Sequence, residues 1–207
     1  MGSYFFLRAL SIGKVSLLTP ISASWVVVAL GISLLFLGET LKPLQLAGAF
    51  LAFIGTIIAS SQKNVFKLHV EKEKGVLEVI ATAIFWGIAL SAIKFLTAET
   101  GPVMSVILIN AILITLVLTA ARAGFLKIEK LPLKNQLLVG SAGVLGVIGT
   151  IAYSAGSVES VAVLAPISGT FPVVTIALAF VFLKEKLEFH QYAGIAVMLT
   201  GITAIAV

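Results

Sequence analysis

Few residues in this chain could do chemistry, and those few are scattered through long apolar runs. Gly87, Ser91 and Lys94 fall at i, i+4 and i+7, which puts them on one helical stripe with Trp86 beside it. The stripe suits solute binding, with Lys94 neutralising an anionic group. A lysine near the end of an apolar run equally suits snorkelling to a membrane interface. Ser16 and Thr19 lie just before Pro20, and Ser168 and Thr170 lie around Pro166 and Pro172. Hydroxyls therefore gather where a proline removes a backbone hydrogen bond and frees a carbonyl. They would serve either a solute or a neighbouring helix. Tyr153 either lines a cavity or stands in an aromatic belt. Trp86, Lys94, Thr19, Ser168 and Tyr153 are the candidate substrate-binding residues.

Other polar groups point to structure. Glu39 and Glu185 sit at the ends of apolar runs beside turn residues, where a carboxylate meets water at little cost, so a structural or topological role is expected. Asn110, in the middle of an apolar run, needs a partner, and a neighbouring helix is the expected one. Enzyme signatures are missing: there is no His-Glu-x-x-His, no Gly-x-Ser-x-Gly and no phosphate-cradling loop. His69 and His190 are too far apart in sequence to suggest a metal pair. With no cysteine, disulfides and thiolate chemistry are out as well. No cofactor or metal is implied, and an enzyme is not expected.

The elements that must carry these residues are membrane spans. The chain has 207 residues, 59% of them hydrophobic and 11% charged, with a mean hydropathy of +1.15. Water-soluble domains carry about 25% charged residues. Seven runs are long enough to cross a bilayer or nearly so: Val15–Leu37, Leu44–Ser61, Val76–Leu96, Val103–Ala121, Leu137–Ala155, Val161–Leu183 and Tyr192–Val207. Tyr4–Ile12 is about half a span. Each run is apolar all round, and in lipid a helix satisfies its own backbone, so the expected fold is all-α: a polytopic membrane bundle of seven full helices and one partial one. The net charge of +5 comes from lysines in the gaps, not from a basic stripe interleaved with aromatics, so nucleic acid is not an expected partner; the lipid bilayer is. Counting crossings puts about eleven of the 14 Lys and Arg on one side, which the positive-inside rule assigns to the cytosol.

A self-match at an offset of about 146 residues supplies the architecture. Thr19-Pro20-Ile21-Ser22 matches Ala165-Pro166-Ile167-Ser168. Phe36-Leu37-Gly38-Glu39-Thr40-Leu41 matches Phe182-Leu183-Lys184-Glu185-Lys186-Leu187. Gln45, Ala47, Gly48 and Gly55 match Gln191, Ala193, Gly194 and Gly201. Chance agreement among apolar residues does not pair Pro, Glu, Gln and Gly in one register. Between the Pro20 and Pro166 helices the chain crosses an odd number of times, so the repeats are expected to be inverted in the membrane, as in many secondary transporters. The expected division is 1–62 as the end of a first repeat, 63–75 as a linker and 76–207 as a second repeat. On that register a full first repeat would begin roughly 70 residues before Met1.

Pro-Ile-Ser, then Phe-Leu-x-Glu-x-Leu-x-x-x-Gln-x-x-Gly with a further Gly, present twice, resembles the drug/metabolite transporter superfamily, and within it the ten-helix EamA-type branch. Phe85-Trp86-Gly87 followed by Lys94 is similar to that family's opening helix of a repeat. The resemblance covers the chain as helices three, in part, through ten. It implies a permease for small metabolites in the cytoplasmic membrane, working by alternating access, and suggests export. It also implies cytosolic termini, which would place the lysine-rich loops outside, against the charge rule, so orientation stays open. The alternative is a non-transporting membrane scaffold or an inactive fragment of such a transporter. An intramembrane enzyme would require acidic or histidine pairs facing one cavity. Substrate and coupling ion are not specified, and no sequence signal bears on whether the chain forms a homodimer.

Overall fold

The structure is a computed structural model that describes residues 2–13, 15–60, 74–124, 132–174 and 188–207. Its described residues form helices α1 (Gly2–Ile12), α2 (Val15–Ser22), α3 (Trp25–Phe36), α4 (Pro43–Ser60), α5 (Val76–Thr100), α6 (Pro102–Arg122), α7 (Leu133–Ser157), α8 (Val161–Ser168) and α9 (Phe189–Ala206). No strand occurs among them. Five of these helices, α4, α5, α6, α7 and α9, are long and apolar enough to cross a membrane. The protein is an all-helical, polytopic membrane protein. The expected linker and Glu185 lie mostly or wholly outside the described residues.

The chain divides into two compact units, one of Met1–Ser91 with Ser160–Val207, the other of Ala92–Glu159. The first unit is organised around α4 and α9. Gly48 and Gly55 of α4 face Gly201 and Gly194 of α9, so the two backbones touch. A Cβ added at Gly48 would lie 2.7 Å from the Gly201 carbonyl oxygen, and one at Gly201 would lie 2.6 Å from that of Gly48. At Gly55 and Gly194 it would collide with the backbone nitrogens of Met198 and Ala59. Small residues allow this approach, which in lipid replaces the hydrophobic effect as the source of helix association.

The pairing is antiparallel and symmetric. Gln45, at the start of α4, donates to the Ile205 carbonyl at the end of α9 at 3.3 Å, and Gln191, at the start of α9, donates to the Ala59 carbonyl at the end of α4 at 3.2 Å. Each glutamine also accepts from the backbone N–H three residues before it, Lys42 at 3.1 Å and Glu188 at 2.9 Å. All of these pairs obey the sequence offset of 146, so α4 and α9 are corresponding helices of two repeats running in opposite directions. Inversion of the repeats, expected from counting spans, is seen directly in this pair.

The Pro20 and Pro166 segments refine the expectation of continuous spans. The run Val15–Leu37 is two helices, α2 and α3, separated by a turn at Ala23-Ser24. The second copy breaks at the same register: α8 ends at Ser168, Gly169-Thr170 form a turn, and the chain is helical again at 171–174. In both copies the helix ends two residues after its proline, whose missing N–H belongs to the turn before it and so bends the helix on the way into the break.

Elsewhere in the first unit, α1 packs against the first half of α5. Phe5 stacks on Phe85 with ring centroids 5.8 Å apart, Phe6 lies 5.2 Å from Trp86, and Arg8 reaches Glu78 at 3.7 Å. In the second unit, α5 ends at a reversal through Gly101, whose φ of 81° is open to glycine at little cost, and Pro102 starts α6. α6 packs on α7. Both leave large apolar side chains exposed, among them Ile112 at 61% and Leu145 at 69%, as lipid contact requires.

Candidate functional site

The two helix breaks are irregular backbone within the first unit, and they come together. Gly169 seats against Val26, one residue into the helix that follows the Ser24 turn, so closely that a Cβ would collide with the Val26 side chain. In lipid, non-helical backbone persists only where protein or a water-filled cavity covers it. Each break supplies its own hydroxyl for this purpose. Ser24 Oγ donates to the Ile21 carbonyl at 2.7 Å, and Thr170 Oγ1 donates to the Ile167 carbonyl at 2.6 Å. Ser24 and Thr170, and Ile21 and Ile167, are again equivalent under the repeat. In α2 a further hydroxyl, Ser22, donates to the Thr19 carbonyl at 2.7 Å.

A carboxylate fixes the outer end of α8. After α3 the chain reverses at Gly38, with φ 66°, and Glu39 N–H donates to the Ser33 carbonyl at 3.2 Å. The Glu39 side chain then accepts from Ser33 Oγ at 2.7 Å, from Ser160 Oγ at 2.9 Å, and from the N–H groups of Val161 at 3.1 Å and Ala162 at 2.8 Å. The first-turn N–H groups of a helix have no partner inside it, and the helix dipole favours negative charge there. Glu39 thus crosses from the first repeat to cap a helix of the second, in keeping with the structural role expected of it.

The five candidate binding residues are placed as follows. Thr19, Trp86 and Ser168 belong to the first unit, and Lys94 and Tyr153 to the second. Thr19 and Ser168 are half-buried and stand next to the two breaks. Trp86 is half-buried against α1, where a Cβ on Gly2 would lie 2.8 Å from its indole nitrogen. Lys94 is half-buried on the stripe of α5 that also carries the buried Ser91 and Thr97. Tyr153 is 8% exposed and so does not present an outward belt face.

The sequence did not point to a second polar cluster. In the second unit, Thr97, Ser105 and Ser154 come from three helices and bond to one another, with oxygens 3.2, 2.5 and 2.8 Å apart, all buried. Ser105 also donates to the Pro102 carbonyl at 2.9 Å, and Ser157 to that of Ser154 at 2.7 Å. Nothing in their spacing marks these hydroxyls. Ser24 could have been found from the repeat, as the counterpart of Thr170. Ser160 could have been found as a serine immediately before an apolar run, an N-cap pattern. One expectation is corrected: Asn110 bonds to the Val106 carbonyl of its own helix at 2.8 Å, not to a neighbouring helix. The carbonyl four residues back is within reach of its amide and needs no second helix. Among the described residues no group of three or more His, Asp or Glu is placed to hold a metal.

Inverted, symmetry-related helices packed backbone to backbone, and paired helix breaks within the apolar segments, define a membrane protein of the inverted-repeat class. The chain belongs to the EamA-like transporter family, whose model matches residues 1–61 and 73–207. That is a family of membrane transporters of small molecules, not of enzymes. A solved crystal structure of another protein is similar over 100% of this chain and 73% of its own length, with a TM-score of 0.77 and 19% sequence identity, a likeness of fold. No curated protein matches the chain in sequence.

Proposed function

We propose that the protein is a secondary transporter that moves a small polar or amphipathic metabolite across the cytoplasmic membrane, outward, by alternating access. The observation that carries this reading is the antiparallel pairing of α4 with α9. Two copies of one fold, inverted about a tightly packed pair, can exchange conformations and so expose a central site first to one face and then to the other. The division into residues 1–62, 63–75 and 76–207 follows from the same repeat. The paired breaks support the placement of the solute, since discontinuous helices supply polar backbone at membrane depth. Thr19 and Ser168 beside the breaks, with Trp86, Lys94 and Tyr153, are the residues assigned to solute contact. The bilayer and the solute are the partners this requires.

The test is counterflow in proteoliposomes containing the purified chain, using labelled zwitterionic, anionic and neutral polar metabolites. Accumulation of at least one class above protein-free vesicles is expected. If a folded preparation accumulates none, and a chain extended upstream accumulates none either, the scaffold reading replaces this one.

A further inference from the structure

We propose that Glu39 is a releasable latch between the two repeats, holding the outer end of α8 against the end of α3 in the conformation seen here and letting go when that side opens. The inference rests on the alternating-access reading and adds to it the contact that breaks.

Two of the contacts between the repeats in the first unit differ in kind. Along α4 and α9 the backbones themselves touch at four glycines, with a glutamine tie at each end, so the pair cannot separate without losing its whole interface. Between α3 and α8, Gly169 meets Val26 at the breaks, and Val163 and Ile167 of α8 pack toward the α4–α9 pair, whereas the polar tie at the outer end runs through one side chain, Glu39. Val161 N–H, Ala162 N–H and Ser160 Oγ all converge on the Glu39 carboxylate. Withdrawing that carboxylate releases them together.

Both sides are built to survive release. Ser160 Oγ also accepts from Val163 N–H at 3.2 Å, so α8 keeps an N-cap of its own when Glu39 departs. Glu39 keeps Ser33 from its own repeat, and it stands at a helix end where water can take over the vacated lone pairs. Its backbone, in the non-helical segment 37–42, stays pinned by the Glu39 N–H to the Ser33 carbonyl, so the side chain can rotate away without unwinding α3 or α4. A merely structural cap would not need the second cap on α8.

The chain has no cysteine, so thiols can be introduced cleanly. Ser33 and Ser160 contact the same Glu39 oxygen at 2.7 and 2.9 Å, which puts their hydroxyls within the span of a short bifunctional thiol cross-linker. In the S33C/S160C variant, cross-linking is expected to reduce counterflow of the labelled metabolite panel at least tenfold, and cleavage of the cross-link to restore it. Full flux through the cross-linked protein overturns the latch while leaving transport intact. A second measurement needs no substrate. Ala162 is fully buried, and an A162C thiol should react with an impermeant maleimide at least tenfold faster when Glu39→Gln is added, with helicity and melting temperature retained. Equal rates overturn the latch. Faster labelling in a protein that carries no flux keeps the tie and overturns the transport reading instead.

Discussion

Gln45 and Gln191 hold each other's helices at opposite ends, the first donating to Ile205 and the second to Ala59. The offset that relates the two glutamines also relates the two carbonyls, so a single interaction is repeated about a pseudo-two-fold axis. The bonds lie far apart along the pair, so their contributions should add. Side-chain hydrogen bonds between membrane helices are worth about 0.6 kcal/mol each on average. Gln45→Leu and Gln191→Leu should each lower stability in detergent by about that amount or somewhat more, since each glutamine also caps its own helix. The double variant should equal their sum in a denaturant or thermal titration. A strongly non-additive double variant would mean that the two ends are coupled.

The glycines of the α4–α9 seam separate from those of α7 by what surrounds them. Gly55 and Gly194 face backbone that a methyl group would strike, whereas a Cβ at Gly140, Gly143 or Gly146 meets nothing within 4 Å. Overpacking of this kind costs about 1–3 kcal/mol. Glycine in a helix interior is itself worse than alanine by about 0.5–1 kcal/mol. Gly55→Ala and Gly194→Ala should therefore lower the melting temperature, while Gly143→Ala should leave it unchanged or raise it. Circular dichroism melts of the three variants in one detergent check the contrast.

The hydroxyl cluster of the second unit predicts a graded response. Removing Ser154 Oγ leaves Thr97 and Ser105 still within 3.2 Å of each other, and Ser105 keeps the Pro102 carbonyl. Ser154→Ala should cost less than about 1 kcal/mol, because no buried donor is orphaned. Ser154→Val replaces the hydroxyl with a methyl and adds a second methyl at a site of 0% exposure, and should cost more. Thermal denaturation of both variants measures the order; equal losses would show that the hydroxyl, not the space, is what the site requires.

Much of this fold is legible in the sequence because hydropathy sets the spans and the repeat sets their relation. Paired Pro20 and Pro166, Gln45 and Gln191, and the four glycines named the register before any contact was seen. What was hidden is the destination of each polar group. Thr56, Ser91, Thr115, Thr150 and Thr200 all turn back onto the carbonyl four residues earlier. Thr97 and Ser154 instead bond across helices, and an apolar run gives no sign of which hydroxyl will do which. The Glu39 cap is illegible for the same reason, since its donors lie 121 to 123 residues away. The two-residue turns at Ala23-Ser24 and Gly169-Thr170 were hidden because proline within a span is compatible with a gentle bend as well as a break.

That break is the feature on which transport and stability should part company. Pro166 removes from α8 the N–H that would bond the Ala162 carbonyl, and the helix ends two residues later, at Ser168. Pro166→Ala restores an N–H to the Ala162 carbonyl and removes the ring that bends α8 there, which re-aims the turn at Gly169 and Thr170 and draws the Thr170 hydroxyl away from its present carbonyl partner, Ile167. Proline in a helix interior costs about 3 kcal/mol relative to alanine, so the variant should be at least as stable as the parent, the loss of tailored packing around buried Pro166 offsetting part of the gain. If the break supplies polar backbone to the solute, counterflow should fall at least tenfold in the same variant. Higher stability with unchanged flux would show that the break is a packing accommodation, and would move the solute path elsewhere in the protein.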